Sequence, residues 1–226
     1  MKRKSASEWF SALSTVVLVV CALAVTGMVA RREFQTPDDG LKTSFYPKWK
    51  ELTERGHRLG NASAPVQVVL FSDYQCPYCR SITPTIEQLM AKYPDAVAVT
   101  YRHFLLEDIH PHARSAAIAA ECGGEQGRFA AMHRVLFDNA AQLGQVPWTE
   151  LAAQAGVPDQ AAFIDCSDDS RHADAIAKDL SAVVDVGIGA VPALVINGVV
   201  ITGAKPLEVV DRLVQDALAK KEKEKR

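Results

Sequence analysis

The chain has no large excess of either charge. Its 25 lysines and arginines stand against 27 aspartates and glutamates in 226 residues, a formal balance of -2. Nothing in that balance draws the whole molecule to a polyanion, so no nucleic-acid partner is expected. The basic segments are confined to the ends, Lys2-Arg3-Lys4 and Lys220-Lys221-Glu222-Lys223-Glu224-Lys225-Arg226, and the second alternates in sign as a solvated helix end does. The chain also lacks a second close pair of cysteines. Of Cys21, Cys76, Cys79, Cys122 and Cys166, only Cys76 and Cys79 are near neighbours. A structural zinc wants four ligands, often from two such pairs, and is disfavoured here. The histidines His103, His110, His112 and His133 lack the compact spacing of a ligand set. They read as satisfied surface or helix side chains, and neither a metal nor a cofactor is expected. No internal repeat is visible, which sets repeat architectures aside.

A long apolar run is present once. Trp9 to Ala30 is free of charge over 22 residues, and a helix needs roughly 20 to cross a bilayer core. We read it as a lipid-embedded anchor in preference to a cleaved signal. A signal's apolar region is shorter, and the cleavage-like Ala22-Leu23-Ala24 falls inside the run. Lys2-Arg3-Lys4 favours a cytoplasmic N-terminus, against the weaker opposing pull of Arg31 and Arg32. Cys21 reads as a small apolar residue, since Val20 before it is too large for a lipid-attachment site. Anchor or signal, the remainder is exported. Its four cysteines are an even number, in keeping with an oxidising compartment. The expected organisation is a cytoplasmic stub over 1–8, the anchor over 9–30, a tether over 31–58, one domain over 59–220 and a charged tail over 221–226.

Val66 to Phe71 is valine-rich and reads as a buried strand. Cys76 to Tyr93 has helical spacing through Ile82, Ile86, Leu89 and Met90, with Pro84 expected to kink it. Ala96 to Phe104 reads as a second strand, which makes a βαβ unit with parallel strands. An alanine-rich helical insert, about 108–187, follows. Three or four short helices are expected in it, with breaks near Gly123-Gly124, Gly144 to Pro147, Gly156 to Pro158 and Ser167. Val191 to Ile196, the turn Asn197-Gly198 and Val199 to Thr202 form a hairpin. Leu207 to Ala219 is an amphipathic closing helix.

Cys76-Pro77-Tyr78-Cys79 sits where the first strand hands over to its helix. A thiol at a helix N-terminus meets the positive end of the aligned peptide dipoles, which favours the thiolate. The thiolate is the species that attacks a disulfide. A proline opening a strand, as at Val191-Pro192, cannot donate to the ladder and needs a reason to be there.

The element order and the cysteine pair together resemble the thioredoxin fold. The helical insert is similar to that of the DsbA-like thiol:disulfide oxidoreductases, over about Leu59 to Ala219. The matching stretches are Val69-Leu70-Phe71-Ser72-Asp73-Tyr74-Gln75-Cys76-Pro77-Tyr78-Cys79 and Gly189-Ala190-Val191-Pro192-Ala193-Leu194, supported by Tyr101-Arg102-His103-Phe104 and Gln126-Gly127-Arg128-Phe129. The resemblance implies Cys76 as an exposed nucleophile and Cys79 as the buried partner, with Pro77 and Tyr78 tuning the thiolate. It implies a cis bond at Pro192, facing the pair and leaving the Val191 backbone to bind an extended client segment. It also implies a non-catalytic disulfide between Cys122 and Cys166. One departure stands out: relatives often hold a buried carboxylate six positions before the nucleophile, and here that position is Leu70. Valine before Pro192 resembles the oxidases, whereas the Pro-Tyr pair is shared with isomerase-like members. The stretch 31–58 is too short for the dimerisation module of an isomerase. The expected protein is a monomeric oxidase on the outer face of a bacterial inner membrane. It would act on reduced or misfolded exported proteins and be reoxidised by a membrane partner. An isomerase or reductase is the nearer alternative, and a redox-inactive binding module the remoter one.

Overall fold

The computed structural model describes residues 41–168 and 170–224, with a few helical positions between 19 and 26. The chain divides into two compact units, Met1–Lys42 and Thr43–Arg226. Most of the expected anchor, 9–30, lies outside the described residues. Among those described, no helix is long and apolar enough to cross a membrane.

In chain order the second unit runs β1 (Ser44–Phe45), α1 (Trp49–Leu52), β2 (His57–Leu59), β3 (Val66–Ser72), α2 (Pro77–Lys92) and β4 (Val97–His103). The insert follows, with α3 (Ala113–Glu125), α4 (Phe129–Asp138), α5 (Trp148–Gln154), α6 (Gln160–Asp168) and α7 (Ala173–Val186). The chain then returns through β5 (Ala193–Ile196), β6 (Val199–Thr202) and α8 (Leu207–Glu224). The six strands form one sheet in the order β1-β6-β5-β3-β4-β2. Only β3 and β4 are parallel, and the helix-sized crossover α2 joins them. All seven residues of β3 are buried, as a strand covered on both faces requires. Val69 and Phe71 point to the face packed by Leu52 of α1 and by Ala182 and Val183 of α7. On the other side α2 and α8 pack on each other, and α8 lies on β3 and β5. The β5–β6 hairpin closes through Asn197 (φ 44°) and Gly198 (φ 97°), the positive pair that matches strand twist.

The stretch expected as a tether, 31–58, enters the fold from Thr43. Its described part supplies both edge strands, β1 beside β6 and β2 beside β4. Runs of two and three residues carry no readable alternation, so only the pairing reveals them. Among the described residues the insert holds five α-helices and not three or four. The expected break at Gly123-Gly124 is absent, because α3 runs on to Glu125. These glycines serve close approach: a Cβ on Gly123 would lie 2.9 Å from Met132, and one on Gly124 2.6 Å from the His57 ring. Helix α2 is likewise continuous through Pro84, which sits on its exposed side. The helix donor that proline lacks would have gone to the Arg80 carbonyl, and Arg80 is exposed to water. Helix α8 extends into the charged tail as far as Glu224.

Arg102 of β4 fastens the insert to the sheet. It pairs through Nε with Asp179 of α7 and donates to the Leu52 carbonyl at 3.1 Å, while the other Asp179 oxygen accepts the His103 N–H at 2.8 Å. Both ionic side chains are buried. A buried charge pair is tolerable only when its remaining hydrogen-bonding capacity is met, as it is here.

Candidate active site

The turn from β3 into α2 holds both sulfurs of the sequence motif. Cys76 occupies the N-cap of α2 with extended backbone, and Pro77 takes the first helical position, where a missing N–H costs nothing. The unpaired N–H groups of the first turn therefore face the Cys76 sulfur. Both Cys76 and Cys79 are free thiols in this structure. The Cys76 pKa is lowered to about 6, chiefly because the Cys79 thiol donates to its sulfur. Burial opposes that shift, the N–H groups of Cys79 and Tyr78 reinforce it, and the charge of Asp73 works against it. Cys79 moves the other way. Burial comes first, and the proton it shares with Cys76 holds it further in the thiol form. The pair is thus asymmetric: one sulfur ionises near neutrality and the other keeps its proton.

Cys76 was expected to be exposed, yet only 4% of its surface is open. The Val191-Pro192 segment before β5 lies against it. The Val191 carbonyl oxygen lies 4.0 Å from the Cys76 sulfur, across a cis Val191-Pro192 bond. Pro192 turns its own carbonyl away, to accept the Gly203 N–H at 2.7 Å. Tyr78, 66% exposed, forms the outer rim. Pro77 is exposed as well, and Gly189 and Ala190 lie open on the approach to Val191.

Residues that carry no motif hold this turn in place. Asp73 is fully buried. Its carboxylate accepts the Gln75 N–H at 2.8 Å, the Leu106 N–H at 2.9 Å and His110 Nδ1 at 2.8 Å. Its N–H reaches the Cys79 sulfur at 3.5 Å, and its carbonyl accepts the Cys76 N–H at 3.2 Å. Position 73 thus carries a buried carboxylate, while position 70, where relatives often have one, is apolar. The Tyr74 hydroxyl and His133 Nδ1 share a hydrogen bond of 3.0 Å. Burial, then the positive surroundings of His103, Arg134 and His57, push the His133 pKa down to about 3, so this imidazole is neutral.

Three of the histidines converge on one glutamate. His57 and His103 each donate to Glu121 Oε1 at 2.9 Å, and His172 Nδ1 lies 3.8 Å from Glu121 Oε2. Burial would raise the Glu121 pKa, but the hydrogen bonds and charges of His103 and His57 outweigh it and hold the group well below the usual carboxylate range. Nothing in the sequence places these residues together, because they come from β2, β4, α3 and the turn before α7. Cys122 of α3 and Cys166 of α6 are joined as a disulfide, with their Cα atoms 5.8 Å apart. Both are buried, and neither lies in the Cys76 turn.

A sheet of this topology, with an ionisable sulfur at a helix start and a proton-holding sulfur one turn on, defines a dithiol protein of thioredoxin architecture. The chain belongs to the thioredoxin family, whose profile matches residues 52–216. Among solved structures it is similar to Pseudomonas aeruginosa DsbA2, at 28% identity and a TM-score of 0.61, over 72% of this chain and 93% of that one. It is also similar to a periplasmic thioredoxin-like protein from Salmonella enterica serovar Typhimurium, at 26% identity and a TM-score of 0.59, over 72% of this chain and 89% of that one. Among curated proteins, Na(+)/H(+) antiporter NhaA 3 of Salinispora tropica is 33% identical over 166 residues, 74% of this chain. The chain spans about a quarter of the length of these antiporters, 25% in that case.

Proposed function

We propose that the protein is a thiol:disulfide oxidoreductase that works as an oxidase, introducing disulfides into exported proteins through Cys76 and Cys79. The observation that carries this reading is the placement of the pair, with Cys76 at the N-cap of α2 beside the Val191 carbonyl and Cys79 sealed in the core one turn on, which lowers the first sulfur's pKa to about 6 and raises the second's. A client thiolate attacks Cys76 of the oxidised pair. The bond to Cys79 breaks, and Cys79 leaves as a thiolate that takes up a proton. A second client thiolate then attacks the client sulfur of the mixed disulfide, and Cys76 departs as a thiolate. The client is oxidised by two electrons and the pair is reduced. A low-pKa sulfur is the better leaving group, which drives the second step forward. The open backbone before Val191 suits an extended client strand laid beside it.

The likeness to the periplasmic Salmonella protein and the apolar run at 9–30 support a place on the outer side of a bacterial inner membrane, with the run as anchor. The working form is a monomer, and a membrane partner accepts the electrons. The antiporter match transfers no transport activity, since it covers a quarter of those proteins.

Equilibration with glutathione redox buffers tests the direction of exchange. An oxidase should have a potential well above the roughly −270 mV of thioredoxin. A value at or below that overturns the reading in favour of a reductase. Faster recovery of a scrambled-disulfide client than of a reduced one would favour an isomerase. Function surviving Cys76→Ser in cells would leave only a binding role.

A further inference from the structure

We propose that reduction of the Cys122–Cys166 disulfide unmasks a binding site for a zinc-class divalent ion, built from both cysteine sulfurs, His172 Nε2 and the Glu125 carboxylate. The ligand atoms of Cys122, Cys166 and His172 all lie within 4.8 Å of one another. His172 Nε2 points between two of its prospective co-ligands, 3.3 Å from the Cys166 sulfur and 3.1 Å from Glu125 Oε1. Tetrahedral zinc, with arms of about 2.3 Å to sulfur and about 2.0–2.2 Å to nitrogen and oxygen, has edges of roughly 3.4–3.6 Å between such ligands. The imidazole is therefore close to its final place before any metal enters, and the exposed Glu125 carboxylate, already 3.1 Å from it, swings in to complete the set. The cysteine Cα separation of 5.8 Å leaves room for two thiolates on one ion.

The surroundings supply the outer contacts such a site needs. A ligating histidine usually gives its other ring nitrogen to a carboxylate, which fixes the ring. Here His172 Nδ1 faces Glu121 Oε2 at 3.8 Å, and Glu121 is itself anchored through Oε1 by His57 and His103. Glu125 is held from outside by Arg171, 3.4 Å from its other oxygen. The chemistry balances. A dithiol reductant passes two electrons to the Cys122–Cys166 bond and becomes a cyclic disulfide, leaving two thiols. One divalent ion then displaces two protons and takes both sulfurs as thiolates. The ion replaces the covalent brace between α3 and α6 when that brace is cut.

The test uses the full chain carrying Cys21→Ser, Cys76→Ser and Cys79→Ser, so that only two thiols remain. It is reduced with a phosphine under argon and titrated with cobalt(II), then with zinc(II). The reduced protein should bind one cobalt per chain with thiolate-to-cobalt charge-transfer absorption, which zinc abolishes, and the oxidised protein should show none. His172→Ala should weaken binding by at least roughly 10- to 100-fold while both thiols still titrate. Glu125→Gln, on an exposed side chain, should weaken it less. Zinc should raise the thermal midpoint of the reduced chain and leave the oxidised one unmoved. Absence of the absorption, or affinity unchanged in both His172→Ala and Glu125→Gln, overturns the proposal.

Discussion

Two cysteine pairs in one chain are put to opposite uses. Cys76 and Cys79 lie three positions apart at the start of α2, where one sulfur meets unpaired N–H groups and the other is sealed in the core. Cys122 and Cys166 are separated by 44 positions and bonded between two insert helices, both out of contact with water. The sulfur chemistry available to each is the same. What differs is whether the protein stabilises one sulfur as an anion or bonds both sulfurs to each other. An asymmetric pair at a helix start can pass electrons, whereas a symmetric buried pair between helices is a brace.

Substitution separates the two uses most sharply. Cys76→Ser should drop exchange with a dithiol peptide to the uncatalysed rate, while Cys122→Ser should leave that rate essentially unchanged in the same assay. Equal loss in both would erase the distinction. Removing the brace with Cys122→Ala and Cys166→Ala together should cost about 2–4 kcal/mol in denaturant unfolding, because the unfolded chain regains the freedom of a long loop. A pH-dependent effect follows from the ionisation of Cys76. Between pH 6 and 9 the folded reduced protein carries this sulfur ionised while the unfolded chain, with a pKa near 9.0, keeps it protonated. The unfolded state therefore binds more protons, and stability rises with pH. The thermal midpoint of the reduced form should gain on that of the oxidised form across this window and lose the gain as pH falls through about 6. A difference independent of pH would mean that Cys76 is an ordinary thiol. The mildest change is Asp73→Asn. It removes the charge that opposes the thiolate and should move the Cys76 midpoint down, read from alkylation rate against pH.

The parts legible in the sequence were those with local signals. The β3–α2–β4 unit showed in its valine run and helical spacing, the β5–β6 hairpin in Asn197-Gly198, and the reactive turn in Cys76-Pro77-Tyr78-Cys79. The parts that were not legible depend on distant partners. Gly123 and Gly124 looked like a helix break because glycine is costly in a helix. Only the positions of Met132 and His57 reveal what their bare backbone accommodates. Glu121 carries no local signal, and its role shows only where His57, His103 and His172 meet it from three other elements. The bond from the Gln75 N–H to Asp73 is what a local turn cap makes, but the bonds to Leu106 and His110 cross a gap in sequence that no local pattern bridges.

Asp73 also joins mechanics to chemistry. Its main chain bonds the Cys79 sulfur and the Cys76 N–H, and its side chain grips the strip that leaves β4. The strip includes the exposed Ile109. A displacement of that strip would therefore be carried to the turn that holds both cysteines through the Asp73 carboxylate.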